Sequence, residues 1–502
     1  MFAESQRQFD VGPGREASLA EVLGAFSYAL DLTEGQPAGH SIRACWIAMQ
    51  LGAEIGLDQN ALGDLYYAVL LKDLGCSANA ARVAQVFAGN DRLLKHDFKL
   101  VGPRPEDFGG FIKAKAGSEA NVQEGGRDGV IESLLANAGP IMVDLIDTRC
   151  TRGADIARQL RFSEHVAEAI AALDEHWDGS GLPLGIAGEA IPLSARIALI
   201  AQVADVFCIA QGGLAARKEI KQRSGSWFDP ALVSAFLAIS ESAQFWRALS
   251  ARDLPQRLAA LQPDAQELPV DEAWLDDIAD AFGRVIDAKS PYTGGHSERV
   301  GLFADHVAQQ LGLDPLTRLG LRRAAILHDV GKLGISSRIL EKPGRLDERE
   351  WAVMRDHARL SADILSRVSV VRDMAMIAAS HHERLDGTGY PLKLDANMIA
   401  LETRIISVAD FFDALTADRP YRAAMPISQA LDIMAAEVGS AIDARCFAAL
   451  KASVAHGLPE RPLPRVDLPL TSASLPAVSR VSPVRQQGLN PPKNILVGSD
   501  RC

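Results

Sequence analysis

What this 502-residue sequence lacks narrows its possible roles. Its opening residues, MFAESQRQFDVGPG, have no basic start and no apolar run, so they do not read as a secretory leader. The longest apolar stretch, 191–210, is interrupted by Arg196 and Asp205, which argues against a membrane span of about 20 apolar residues. Its six cysteines, Cys45, Cys76, Cys150, Cys208, Cys446 and Cys502, form no Cys-x-x-Cys pair and read as reduced thiols. Basic residues are in deficit, with a net charge of −12 and a pI near 5.5. Nucleic-acid binding needs clustered Lys and Arg and is not expected. A pocket with a few local cations or metal ions could still take a small anionic substrate. Together these absences predict a cytoplasmic protein without a membrane partner.

Alternating strand patterns are also scarce, and Ala, Leu, Glu and Arg dominate. Hydrophobic content of 48% and charged content of 23% are ordinary for a chain that folds, here as an all-α protein. The length exceeds one core at about 100–200 residues per domain. We divide it into a helical block at 16–250, a polar, Pro-containing linker at 251–272 with room for a short helix, and a second helical block at 273–458. A Pro- and Ser-rich tail at 459–502 is expected to be disordered.

The two blocks repeat one plan. His40-Ser41-Ile42-Arg43 is matched by His296-Ser297-Glu298-Arg299, and Lys72-Asp73-Leu74-Gly75 by His328-Asp329-Val330-Gly331, at the same separation. Trp177-Asp178-Gly179-Ser180-Gly181-Leu182-Pro183 echoes Leu385-Asp386-Gly387-Thr388-Gly389-Tyr390-Pro391. Val203-Ala204-Asp205 echoes Val408-Ala409-Asp410. Helical period puts His296 at the head of a buried helix and Asp410 and Asp413 three apart on another. Asp347 and Glu350 form a capping-box pattern that starts the helix carrying His357.

Histidine is rare, eleven in all, yet His296, His328, His357, His381 and His382 gather in the second block with Asp329 and Asp410. A lone histidine on an apolar face is more often core than ligand, but core packing does not explain seven such residues among Gly-Lys, Asp-Gly and Val-Ala-Asp motifs. Imidazole and carboxylate donors suit Fe, Mn, Zn or Co. Seven donors exceed one tetrahedral ion and match two ions bridged by a carboxylate, with Asp329 the candidate bridge. Lys332, Arg384, Arg419 and Arg422 supply cations for a phosphate substrate, and Tyr390 offers a ring to a base or to the loop itself.

His328-Asp-Val-Gly-Lys332, the run from His381 to Pro391, and the run from Val408 to Arg422 resemble the HD-GYP branch of the HD-domain phosphohydrolases. The resemblance covers 273–458 and implies two tandem HD-like bundles, the second of HD-GYP type. It implies two divalent transition-metal ions, Fe or Mn, held by His296, His328, Asp329, His357, His381, His382 and Asp410. It also implies hydrolysis of cyclic di-GMP to linear pGpG and onward to GMP. Lys332 and Asp329 would act in catalysis; Arg384, Tyr390, Arg419 and Arg422 would contact the dinucleotide, with Asp413 supporting the site. Two alternatives stay open: another cyclic dinucleotide or nucleoside phosphate as substrate, and a signalling scaffold with a residual metal site. Homodimerisation and signalling partners are open as well. Where some relatives carry a Glu that supports a third metal, this chain has Tyr292, so two ions are expected.

The first block is degenerate. By the motif match it keeps His40, Asp73 and Asp205, while Lys72, Arg149 and Leu173-Asp174 stand where ligands would be. We read it as non-catalytic, a scaffold or regulatory unit in preference to a ligand sensor. His96-Asp97 has the wrong spacing and reads as chance, inside an inserted Gly-containing loop region of about 88–135.

Overall fold

The computed structural model describes residues 19–117, 126–262, 271–368, 371–418 and 422–457. The predicted tail, Arg419 and Tyr421 lie outside these residues. Among the described residues there is no strand, only three isolated bridges. Helices are started by side-chain caps where the sequence supplies Asp or Ser: Asp58, Ser163, Asp271, Asp314 and Asp443 each accept a bond from a first-turn amide. The capping box at Asp347 forms with both bonds in place, Glu350 N to Asp347 at 2.9 Å and Asp347 N to Glu350 at 2.7 Å.

The duplication is visible bond by bond. Helices His40–Glu54 and His296–Gln310 each open from a glycine in the left-handed region, Gly39 and Gly295. Buried Asp31 holds the Ser41 amide and hydroxyl, and buried Asp287 does the same for Ser297. Glu175 accepts the amides of Leu184 and Ile186; Glu383 accepts those of Leu392 and Leu394. Arg196 pairs with Asp229 as Arg404 pairs with Asp443. A side chain on Gly75 would strike the Arg149 carbonyl and one on Gly331 the His357 carbonyl, so both copies need glycine for close helix approach.

These bonds correct one register. Asp205 accepts from His40 Nδ1 at 2.7 Å and from Arg43, while Asp413 accepts from His296 Nδ1 at 2.7 Å and from Arg299. Asp205 is therefore the counterpart of Asp413, and Gln202 stands at the place of Asp410. The Val-Ala-Asp echo is slipped by three residues, less than one helical turn.

The inserted segment is also corrected, because it is helical. Helices Asp91–Phe98, Pro105–Lys115 and the first part of Gly126–Gln159 lie in it, preceded by helix Ala80–Phe87. They close a small core of their own around Phe87, Leu94, Phe111, Ile112, Leu134 and Leu145. The main core is continuous across both blocks, with Phe26 stacked on Phe282 at 3.8 Å. The linker contributes too: its helix Leu254–Ala259 buries Leu254 and Leu258. The apolar helix Leu193–Gln211, which carries Arg196 and Asp205, is mostly buried in this core.

Candidate metal centre

Five helices and a 3-10 turn bring the predicted ligands together. His296 heads its helix, His328 ends helix Pro315–Leu327, and Asp329 leads into the 3-10 turn Val330–Gly334. His357 lies on helix Glu348–Leu365, His381 and His382 follow helix Arg372–Ala379, and Asp410 lies on helix Leu401–Thr416.

The histidines present one nitrogen each. Nδ1 of His328, His357 and His381 donates to the carbonyl three residues back, of Ala325, Met354 and Ala378, at 2.6, 2.5 and 2.6 Å. A carbonyl only accepts, so the proton sits on Nδ1 and the Nε2 lone pair faces inward. The Nε2 atoms of His296, His328, His357 and His381 are buried with no hydrogen-bond partner, as is Asp329 Oδ1. Buried polar atoms are otherwise almost always satisfied. Inward lone pairs around carboxylates need a cation, and this donor set fits a divalent metal.

Asp329 lies at the centre. Its Oδ2 faces Nε2 of His296 at 3.5 Å and of His328 at 3.2 Å, and its Oδ1 faces Nε2 of His357 at 3.5 Å and of His381 at 3.7 Å. Donor atoms within 4.8 Å of one another form three overlapping groups, His357 with His381 and His382, His296 with His328 and Asp410, and His328 with Asp329 and His381, which joins the other two. Asp329 lies between the two.

The electrostatics agree. Burial would raise the Asp329 carboxyl, but His328 and Lys332 hold it well below the usual range. Burial pushes His357 down to about 4 and His381 down to about 3, so both are neutral donors. Burial also opposes charge on His296, but the nearby Asp329 carboxylate and the bonded Asp413 carry it up to about 9. The carboxylates thus demand positive charge at this end of the site.

The remaining predicted residues divide. Lys332 reaches Asp329 at 2.5 Å. Tyr390 stacks on His382 with ring centroids 4.7 Å apart, so it borders the cluster. Asp413 is buried behind His296 and orients it. Arg384 bonds Asp386 and Glu437 and so braces its own loop. Arg422 donates to the Ala414 and Leu415 carbonyls and closes the end of helix Leu401–Thr416. Sequence reasoning missed the supports: Arg299 on Asp413, Glu383 under the Gly-Tyr-Pro loop, and Ser407, whose hydroxyl donates to the His381 carbonyl at 2.6 Å. It also missed Arg355, whose guanidinium lies 5.7 Å from the Tyr390 ring centre. The available signals were the recurrence of Arg43 and Arg299 in the repeated His-Ser-x-Arg motif and of Glu175 and Glu383 eight residues before the loop prolines.

The first block keeps the geometry and replaces the charge. Lys72 pairs with Asp73, Lys99 lies 3.0 Å from Glu34 and 3.7 Å from Asp73, and Arg149 pairs with Asp174. Burial would raise the Asp73 carboxyl, but Lys72 and Lys99 hold it far below its usual range. Glu34, Asp73 and Cys76 come together as possible donors, yet side-chain cations already balance them.

A buried His/Asp cluster in a helical bundle, built around a His-Asp pair, defines an HD-type hydrolase. The sequence matches the family model described as "HD domain" over residues 137–232 and 280–446. The chain belongs to the HD-domain family of metal-dependent phosphohydrolases, in its HD-GYP branch. It is 50% identical over 433 residues to the 3'3'-cGAMP-specific phosphodiesterase 3 of Vibrio cholerae, covering 86% of this chain and 94% of that one. The crystal structure of a V. cholerae cyclic GMP-AMP-specific phosphodiesterase (V-cGAP3) aligns with a TM-score of 0.60 and 46% identity, covering 88% of this chain and 98% of that one. The cyclic di-GMP phosphodiesterase response regulator RpfG of Xanthomonas campestris is 40% identical over 206 residues, 41% of this chain and 52% of that protein.

Proposed function

We propose that this protein hydrolyses a 3'3'-linked cyclic dinucleotide at the second-block centre, with 3'3'-cGAMP as the preferred substrate. The observation that carries this reading is the extent of the match. Similarity to the cGAMP-specific relative runs through both blocks, 86% of the chain, whereas similarity to the cyclic di-GMP enzyme RpfG covers 41%. Cyclic di-GMP is the second reading, favoured by that 40% identity over 206 residues.

His296, His328, Asp329, His357, His381, His382 and Asp410 would hold two divalent ions, Fe or Mn. Such ions supply Lewis acidity to a water and to phosphoryl oxygens. The chain's own residues do the rest. Lys332, beside Asp329, holds a positive charge and a proton at the reacting end. Asp413 fixes the ring of His296, and backbone carbonyls fix three others, so the donors need little rearrangement to hold the ions. Tyr390 lies against His382 with Arg355 beside its ring, so this pair would offer a base a stacking partner next to the cluster. Glu383 anchors the loop that carries Tyr390.

The test is anaerobic purification with metal analysis, then steady-state kinetics on 3'3'-cGAMP, cyclic di-GMP and cyclic di-AMP. We expect about two ions per chain and the highest kcat/KM on 3'3'-cGAMP. A higher value on cyclic di-GMP would select the second reading, and turnover of none of them would overturn both.

A further inference from the structure

The first block contains a cavity of about 410 Å³, within the size range of small-molecule sites. It occupies the place of the catalytic cleft in the second block. Asp174, His176 and Leu182 line it where His382, Arg384 and Tyr390 stand in the other copy, and Arg149 where His357 stands. The insertion builds the other wall.

The lining does not suit a nucleotide diphosphate ring. Phe87, Phe98, Phe108, Phe111 and Trp227 make an aromatic wall, with Met142 and Leu145 beside them. Its buried cations gather at one pole, where Lys95, Lys99 and Arg149 face two lining carboxylates, Glu34 and Asp174, while Arg104 lies at the exposed rim paired with Asp107. With Lys72 and Asp73 behind it, that pole sets four side-chain cations against three carboxylates, which leaves charge for one further anion. The chamber is mostly apolar, with one buried cationic pole.

It is also wired to the catalytic block. Helix Asp91–Phe98 lines the chamber with Leu94, Lys95 and Phe98. At the other end of that helix, buried Asp91 pairs with Lys289 at 2.6 Å, accepts the Ser336 hydroxyl at 2.8 Å and accepts the Ser337 amide at 2.7 Å. Ser336 follows Lys332 by four residues, on the same short segment as Asp329.

We propose that the degenerate copy is a receptor for a hydrophobic monoacid, an apolar body with one carboxylate head, and that occupancy is relayed through helix Asp91–Phe98 to the Lys332 segment. The carboxylate sits at Lys95, Lys99 and Arg149, and the body lies against the aromatic wall. Binding here is independent of which dinucleotide the second block cleaves.

The test uses the full chain and dodecanoate as probe, below its micelle concentration, by calorimetry. We expect one saturable site and roughly tenfold weaker binding of dodecanol, which lacks the charge. Met142→Trp and Leu145→Trp fill the chamber and should lose dodecanoate, with thermal melting confirming that at least one is folded. Amide exchange over residues 330–340 should change on adding dodecanoate to the wild type, and Asp91→Asn should remove that response. The proposal is overturned if dodecanoate shows no saturable binding, if the folded filled variant binds it as tightly as the wild type, or if 3'3'-cGAMP displaces it. An unchanged exchange pattern at 330–340 in the wild type would overturn the relay.

Discussion

The two blocks pose one problem and answer it differently. Each buries a carboxylate at the same point, Asp329 in one and Asp73 in the other, and a bare buried charge is costly. In the second block, imidazoles with inward lone pairs surround the carboxylate and leave room for metal ions. In the first, Lys72 and Lys99 bring the positive charge in covalent form. The comparison teaches that a buried carboxylate needs a cation nearby whichever block holds it: the copy without the imidazole donors carries lysines in their stead. The scaffold persisted because its supports, Asp31 and Asp287, Glu175 and Glu383, Asp205 and Asp413, bond to protein and not to metal.

The largest effect should come from removing the central carboxylates. Asp329→Ala is expected to reduce metal content to background and abolish turnover, read by elemental analysis and kinetics. Asp73→Ala should leave metal content unchanged and instead cost about 3–5 kcal/mol of folding stability, because it strands buried lysines. Equal metal loss in both would erase the distinction between the copies. A smaller effect is expected from the residues behind the first histidines. Asp413→Asn should lower metal affinity or activity by about 10–100-fold through the lost orientation of His296, whereas Asp205→Asn should change neither. The mildest contrast concerns the loop anchors. Glu383→Gln and Glu175→Gln should each cost about 1–3 kcal/mol in denaturant unfolding, since an amide cannot accept both loop amides as a carboxylate does. Only Glu383→Gln should raise KM, and a matching rise from Glu175→Gln would place the first-block loop in substrate binding.

Much of the centre was legible because its signals are local. A His-Asp pair, a His-His pair and a capping box keep their meaning in one dimension, and five histidines among eleven in one block stand out by chemistry alone. Two readings failed for identifiable reasons. The Val-Ala-Asp match slid by three because an Ala-rich helix looks alike at that step, and only the His40–Asp205 and His296–Asp413 bonds set the register. The insertion read as loop because glycines are frequent in it, yet Gly109, Gly110 and Gly129 sit in helices with open space around them. Packing of Phe87, Leu94, Phe111 and Leu134 outweighed the glycine cost there.

By itself, then, the sequence determined an all-helical chain, its duplication, and a set of His and Asp residues in one copy that could hold a metal, because period and donor chemistry are written residue by residue. Tertiary structure alone decided what each candidate's polar atoms meet. Asp413 turned out to stand behind His296, Arg384 to brace a loop, and Arg422 to close a helix end. It also decided that the insertion walls off an apolar chamber in the other copy. The physical reason is the same in each case: a side chain's role depends on which distant group meets its polar atom, and that pairing exists only once the helices have packed.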